Sequence, residues 1–205
     1  MISDFFLALI LALIQGLTEF LPVSSSAHLL FPSLLFGAKD FGIVFDISVH
    51  AGTLAAVIFY FKKEIQGLFH AWMPWTKTRN KEDFSLGLNL LVATLPIVLV
   101  GLLVSDLTES RSANINSIAW ANLVFAGLLY AAFKRSTQSK SLTELTLFAA
   151  LIIGCFQVLA LIPGVSRSGI VITASRFLEF DRYDSTKISF YLSIPVIAGA
   201  SFLGL

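Results

Sequence analysis

The sequence predicts an all-α, polytopic membrane protein built from two inverted-topology repeats, each a re-entrant pair of half-helices followed by transmembrane helices. Three observations carry this prediction. Of 205 residues, 56% are hydrophobic and only 13% charged, about half the charge of an ordinary soluble domain. Four stretches, 43–61, 86–104, 115–133 and 188–205, approach the ~20 apolar residues that a helix needs to cross a bilayer. Two more, 5–37 and 146–178, are equally apolar but broken by polar and helix-breaking residues. With a mean hydropathy of +0.83 and 19 Phe, the chain carries more apolar surface than a water-soluble domain can bury. A cytosolic enzyme, a disordered chain and a disulfide-stapled secreted domain are excluded. Net charge is +1, so no basic field exists for nucleic acid. The single cysteine, Cys155, lies in an apolar run and is expected as a buried small residue. The first 20 residues carry Asp4 and Glu19 but no Lys or Arg, and no small-residue cleavage site follows. They are not read as a cleavable signal peptide.

The first broken stretch is interrupted by Pro22, Ser24, Ser25, Ser26, His28 and Pro32, the second by Pro163, Gly164, Ser166, Arg167, Ser168 and Gly169. Inside a bilayer, irregular backbone survives only when protein buries it or it lines a wet cavity. Each stretch therefore reads as two half-helices meeting at a polar turn. Charge gives the orientation. Lys62, Lys63, Lys77, Arg79, Lys81, Lys134, Arg135, Lys140, Arg176, Arg182 and Lys187 make eleven of the fourteen basic residues, all in three connecting stretches. The positive-inside rule places these in the cytoplasm. Lys39 and Arg111 fall on the opposite side, and Arg167 within the membrane. The spans 43–61, 86–104 and 115–133 then alternate without conflict only if each broken stretch returns to its side of entry.

The two broken stretches also resemble each other. Gln15, Leu17, Val23, Ser24 and Ser26 recur as Gln157, Leu159, Val165, Ser166 and Ser168, all displaced by 142 positions, while Pro22 and Pro163 differ by 141. Entered from opposite faces, they form an inverted repeat, a common build for a site at the bilayer midplane. The chain is a single integral membrane domain, with repeat one at 1–135 and an incomplete repeat two at 140–205. By the repeat, two further spans, roughly 60–80 residues, are expected beyond Leu205.

Polar groups are costly in hydrocarbon and point to function. Gln15 and Glu19, four apart, share a helix face; the turn at Pro22 brings Ser24, Ser25, Ser26 and His28 behind them. Helix capping explains one of those serines but not the whole cluster. In the second stretch, glycines permit a tight turn, successive N–H groups at a helix start form an anion nest, and Arg167 adds a planar donor fork suited to phosphate. A purely structural Arg167–Glu19 pair is the competing explanation, and it would still be a costly intramembrane ion pair. Together these groups suit phosphoryl transfer. Gly164, Ser166, Arg167, Ser168 and Gly169, with Ser24 and Ser26, are the phosphate-binding candidates. Glu19, His28, a serine of the Ser24–Ser26 run and Arg167 are the catalytic candidates. Glu19 with Gln15 as a neutral oxygen ligand could hold Mg²⁺ or Ca²⁺. His28 or a serine could attack, or His28 could activate water.

The run from Gln15 to Leu29 resembles the first signature of the bacterial undecaprenyl-diphosphate phosphatases of the bacitracin-resistance type, and Pro163–Gly169 resembles their second. His50–Val57 and the Ser193–Pro195 region are also similar, so the likeness runs through the whole chain. It implies an integral inner-membrane enzyme that removes the terminal phosphate of undecaprenyl diphosphate. The released undecaprenyl phosphate returns to cell-wall synthesis, and bacitracin resistance follows because that drug binds the diphosphate. It further implies a site open to the outer face, with weight on Gln15, Glu19, Ser25, His28, Ser166 and Arg167. His28 is favoured as nucleophile or base and Arg167 as phosphate clamp. Two positions depart from the family. Ala27 replaces a glycine, and Val171 replaces a threonine whose hydroxyl bond would be worth about 1–3 kcal/mol; Thr173 is a doubtful substitute.

Other polar residues have plainer readings. Asp46 and His50, four apart, are expected to pair with each other; the alternative is that they line the cavity. His70, near Trp72 and Trp75, suits an interfacial amphipathic stretch. Asp106, Glu109 and Arg111 read as solvated loop charges. The rival function is a polyprenyl-phosphate flippase or transporter of a phosphorylated substrate, since broken inverted repeats are typical of carriers. The partners expected are the lipid diphosphate and the surrounding bilayer, with a homodimer also compatible.

Overall fold

The computed structural model describes residues 4–73, 75, 80–104, 114–135 and 139–203. Asp106, Glu109 and Arg111, like Lys77 and Arg79, lie outside the described residues. Within them every regular element is helical: α1 (Asp4–Thr18), α2 (Ser25–Phe36), α3 (Ile43–Tyr60), α4 (Lys62–Trp72), α5 (Lys81–Leu103), α6 (Ile115–Arg135), α7 (Leu147–Gln157), α8 (Arg167–Phe177) and α9 (Arg182–Leu203), with short 3₁₀ turns at Leu142–Glu144 and Val158–Leu161.

Both broken stretches break where the sequence places the break. Helix α1 ends at Thr18, and the chain turns through Pro22 to Ser24, whose Oγ accepts from Ala27 N at 3.3 Å and caps α2. Helix α7 tightens into the 3₁₀ turn, and the chain bends through Pro163-Gly164 to Ser166, whose Oγ accepts from Gly169 N at 3.1 Å and caps α8. Gly164 has φ +96°, and a Cβ there would lie 2.7 Å from the Ile118 carbonyl oxygen. Only glycine fits that bend.

Three helices, α3, α5 and α6, are long and apolar enough to cross a membrane. The fourth expected span, 188–205, is a helix but is not among them. Its residues explain why. Ser185, Ser189 and Ser193 are buried on α9 together with Ile188, Tyr191 and Leu192, and α9 packs on α3, α5 and α8. A helix wrapped by protein can carry hydroxyls that a lipid-facing helix cannot. The most extensive pairing is α5 with α7. There Gly154 lets the backbones close, since a Cβ would come within 2.5 Å of the Ala93 carbonyl oxygen. At the other end of α8, the buried Arg176 donates to the Phe180 carbonyl at 2.8 Å and lies over the Phe133 ring of α6.

Leu95, Leu99, Trp120, Leu123, Phe148 and Leu151 are exposed, as expected of surface that faces lipid. Cys155 is exposed too, which corrects the expectation of a buried residue: it falls on the outward side of α7, while Ile153, Gly154 and Gln157 face inward. His70 lies on α4, whose Trp72 stacks on Phe84 at 4.8 Å.

Candidate active site

The two breaks meet. Ser168 Oγ donates to the Leu21 carbonyl at 2.5 Å, Ser166 Oγ reaches the same oxygen at 3.4 Å, and the two hydroxyls are 3.1 Å apart. Residues 145 and more positions apart are thereby pinned turn to turn. The contact brings the N-termini of α2 and α8 to one cavity of about 460 Å³. Each helix start carries unsatisfied N–H groups and the positive end of a dipole, so the pair is preset for an anion.

Glu19 lies at the centre and is buried. Its Oε1 accepts from Arg167 Nη2 at 2.6 Å. Its Oε2 accepts from Gln15 Nε2 at 2.7 Å and Ser25 Oγ at 2.8 Å, and lies 3.4 Å from His50 Nε2. One carboxylate thus joins α1, α2, α3 and α8. Removing one partner of such a buried ion pair typically costs about 3–5 kcal/mol, because the other charge stays buried and unpaired. Arg167 Nη1 is also buried and has no hydrogen-bond partner among the described residues. A guanidinium with one arm on Glu19 and one arm unused can take up an anion without first losing its carboxylate.

Of the candidate residues, Glu19, Ser24, Ser25, Ser26, Gly164, Ser166 and Arg167 line the cavity. Four do not. Ser168 is buried and spends its hydroxyl on the Leu21 carbonyl. The Gly169 N–H is capped by Ser166. Ser168 thus ties the two turns together, and the Gly169 N–H closes the cap of α8 rather than facing a ligand. His28 Nδ1 meets the Ser24 carbonyl at 2.6 Å and its ring packs near Phe31, so it braces the first turn of α2. Gln15 is fully buried behind Glu19.

The residues present do not fit a divalent cation held by Gln15 and Glu19. Gln15 turns its amide nitrogen, not its oxygen, to the carboxylate, and its Oε1 is buried with no partner among the described residues. Each carboxylate oxygen already has a partner, and Arg167 places a positive charge 2.6 Å away. No group of three His, Cys, Asp or Glu suited to a metal occurs among the described residues.

His50, with Asp46, lines the cavity, the alternative that the sequence left open beside a mutual pair. The two do pair, through His50 Nδ1 and the Asp46 backbone carbonyl at 2.7 Å, and this turns Nε2 to Glu19. Nothing local in the sequence signals this, since Glu19 and His50 sit on different helices. Val171 also departs from expectation. It is fully buried in the apolar core between α5, α7, α8 and α9 and is absent from the cavity wall. A hydroxyl there has no route to a ligand, so its loss removes no ligand contact. Thr173 turns back to the Gly169 carbonyl at 2.7 Å.

The chain is similar to known proteins along nearly its whole length. A family model described as bacitracin resistance protein BacA matches residues 8–205. The undecaprenyl-diphosphatase of Saccharophagus degradans is 47% identical over 203 residues, 98% of this chain and 77% of that protein. The undecaprenyl-diphosphatase of Alcanivorax borkumensis is also 47% identical, over 98% of this chain and 76% of its own length. The Pelagibacter ubique undecaprenyl-diphosphatase is 42% identical over 100% of this chain and 76% of its own.

Proposed function

We infer the function from a plain premise: the chain belongs to the bacitracin resistance protein BacA family. It is an undecaprenyl-diphosphatase, a membrane phosphatase acting on undecaprenyl diphosphate. The observation that carries the mechanism is the four-partner carboxylate Glu19, beside a half-used arginine and two helix N-termini.

The diphosphate enters with its terminal phosphate against Arg167 and the N–H groups that open α2 and α8. Ile47, Val98, Leu161 and Val196 line the same cavity and suit the first isoprene units of the lipid. Ser25 Oγ attacks the terminal phosphorus. The bridging P–O bond breaks, and its electron pair leaves on undecaprenyl phosphate. The Ser25 proton passes to Glu19, 2.8 Å away. Substrate times this transfer. As the phosphate takes the unused arm of Arg167, the guanidinium's charge is shared between phosphate and Glu19, and the carboxylate becomes a better base. Water then attacks the phosphoserine, the P–Oγ bond breaks, and Glu19 returns the proton to Ser25 as it takes one from the water. His28 steadies α2. A divalent cation, in this reading, arrives as the diphosphate's counter-ion rather than at a site of the protein.

The inverted relation of the two broken stretches, the repeat bounds 1–135 and 140–205, and a site open to the outer face of the bacterial inner membrane belong to the same proposal. The 142-residue correspondence, the convergent breaks and the basic residues gathered in three connections support them. Recycling of the cell-wall lipid carrier and bacitracin resistance follow from the reaction. A homodimer is not needed, because every catalytic group comes from one chain.

The test is phosphate release from a long-chain isoprenyl diphosphate by detergent-purified protein. Arg167→Lys keeps the charge but loses the planar fork, and kcat is expected to fall roughly 10²–10³-fold, as for loss of one preorganised donor. Binding of the lipid diphosphate without release would move the reading to a carrier.

A further inference from the structure

Glu19 has a problem during turnover that its resting partners do not solve. Two of the four, Ser25 and Arg167, are the groups the reaction draws toward phosphorus and phosphate. Gln15 stays, but it sits on the same helical stretch as Glu19, one turn back, and so moves with it. The remaining partner is His50, from α3.

His50 is built to stay still. Its Nδ1 donates to the Asp46 carbonyl, one turn earlier, at 2.7 Å. Thr53 Oγ1 donates to the His50 carbonyl at 2.7 Å and is itself buried. With the ring held from behind, Nε2 faces the cavity and Glu19 Oε2 at 3.4 Å. A carbonyl can only accept, so Nδ1 is a donor; one further proton between Nε2 and Oε2 completes the second bond, whichever atom carries it. Helix α3 packs against both α1 and α9, so the anchor belongs to the rigid bundle rather than to either broken turn.

We propose that His50 is a positioning residue, the fixed point that keeps Glu19 aimed at Ser25 while Arg167 engages the substrate's phosphate. This rests on the phosphatase reading above. It differs from a direct role on the substrate, because His50 acts through Glu19.

The experiment compares His50→Leu and His50→Gln with the wild type in phosphate release, with kcat and KM measured separately. Leu fills similar space without a polar atom; Gln presents an amide N–H near the place of Nε2. His50→Leu is expected to lower kcat roughly 100-fold, the order produced by a misplacement of ~1 Å, with KM changed less than about threefold. His50→Gln is expected to recover most of kcat. A Leu variant with wild-type kcat overturns the proposal. So does a rise in KM alone, which would place His50 on the substrate, and so does a Gln variant as poor as Leu, which would make proton transfer the role. Thermal unfolding of His50→Leu, Glu19→Gln and the double variant checks the contact apart from turnover: coupled shifts in Tm are expected, and additive shifts overturn it. If the wild type releases no phosphate, the phosphatase reading fails and the positioning role falls with it. Wild-type turnover that is indifferent to His50 sinks the positioning role alone.

Discussion

Ser25 and His28 lie three residues apart yet do different things. Ser25 donates to Glu19 inside the cavity, while His28 binds the carbonyl of the residue that caps its own helix. Ser25→Ala is therefore expected to lower phosphate release by about 10³-fold or more, as removal of a nucleophile does, and to abolish a phosphoserine trapped by acid quench. His28→Ala loses a bracing bond of about 1 kcal/mol, roughly a fivefold effect. A collapse of activity in His28→Ala, with phosphoserine still formed by wild type, would give the imidazole a larger part than bracing. The crowding around Glu19 makes a second prediction. Substrate-free protein should bind no Mn²⁺ by paramagnetic resonance, because Arg167 already neutralises the Glu19 carboxylate. Bound ion that disappears in Glu19→Gln would contradict this. Both residues were legible in the sequence as polar groups in hydrocarbon. Which of them faces the cavity was not, since one turn of helix separates inside from outside.

At the level of elements, the two polar turns depend on bonds to each other. The second turn also depends on a close approach to α6, at Gly164. Alanine there would adopt φ +96° and press its Cβ into the Ile118 carbonyl. We expect Gly164→Ala to destabilise the protein by about 1–3 kcal/mol, the range for enforced backbone strain, and to lower activity as α8 shifts. Unchanged Tm and unchanged turnover would show that the turn has slack. Helix α9 teaches a different lesson. Its apolar stretch announced a span, but buried Ser185, Ser189 and Ser193 make it an inner helix. Hydropathy alone measures cost against lipid, and α9 mostly meets protein.

For the whole molecule, orientation is the quantity to test. Basic residues at the ends of α3, α6 and α9 predict a common cytoplasmic side. In a Cys155→Ala background, single cysteines at Lys63 and Lys140 should be labelled only when an impermeant maleimide reaches the cytoplasmic face. A cysteine at Lys39 should be labelled from outside. Labelling of Lys39 and Lys63 from one side would undo the proposed topology, because α3 separates them.

Composition, span lengths and the two polar interruptions determined the helical class, the membrane setting and the identity of Glu19, Ser25 and Arg167 as a cluster. These are local properties, set by the cost of placing polar groups and bent backbone in hydrocarbon. Tertiary structure alone decided which partners each group has. It set His50 against Glu19, turned Val171 into the core, tied Ser168 to Leu21 and left one arm of Arg167 unused. Such pairings depend on how helices distant in sequence rotate and pack, and a rotation of one residue changes which side chains meet.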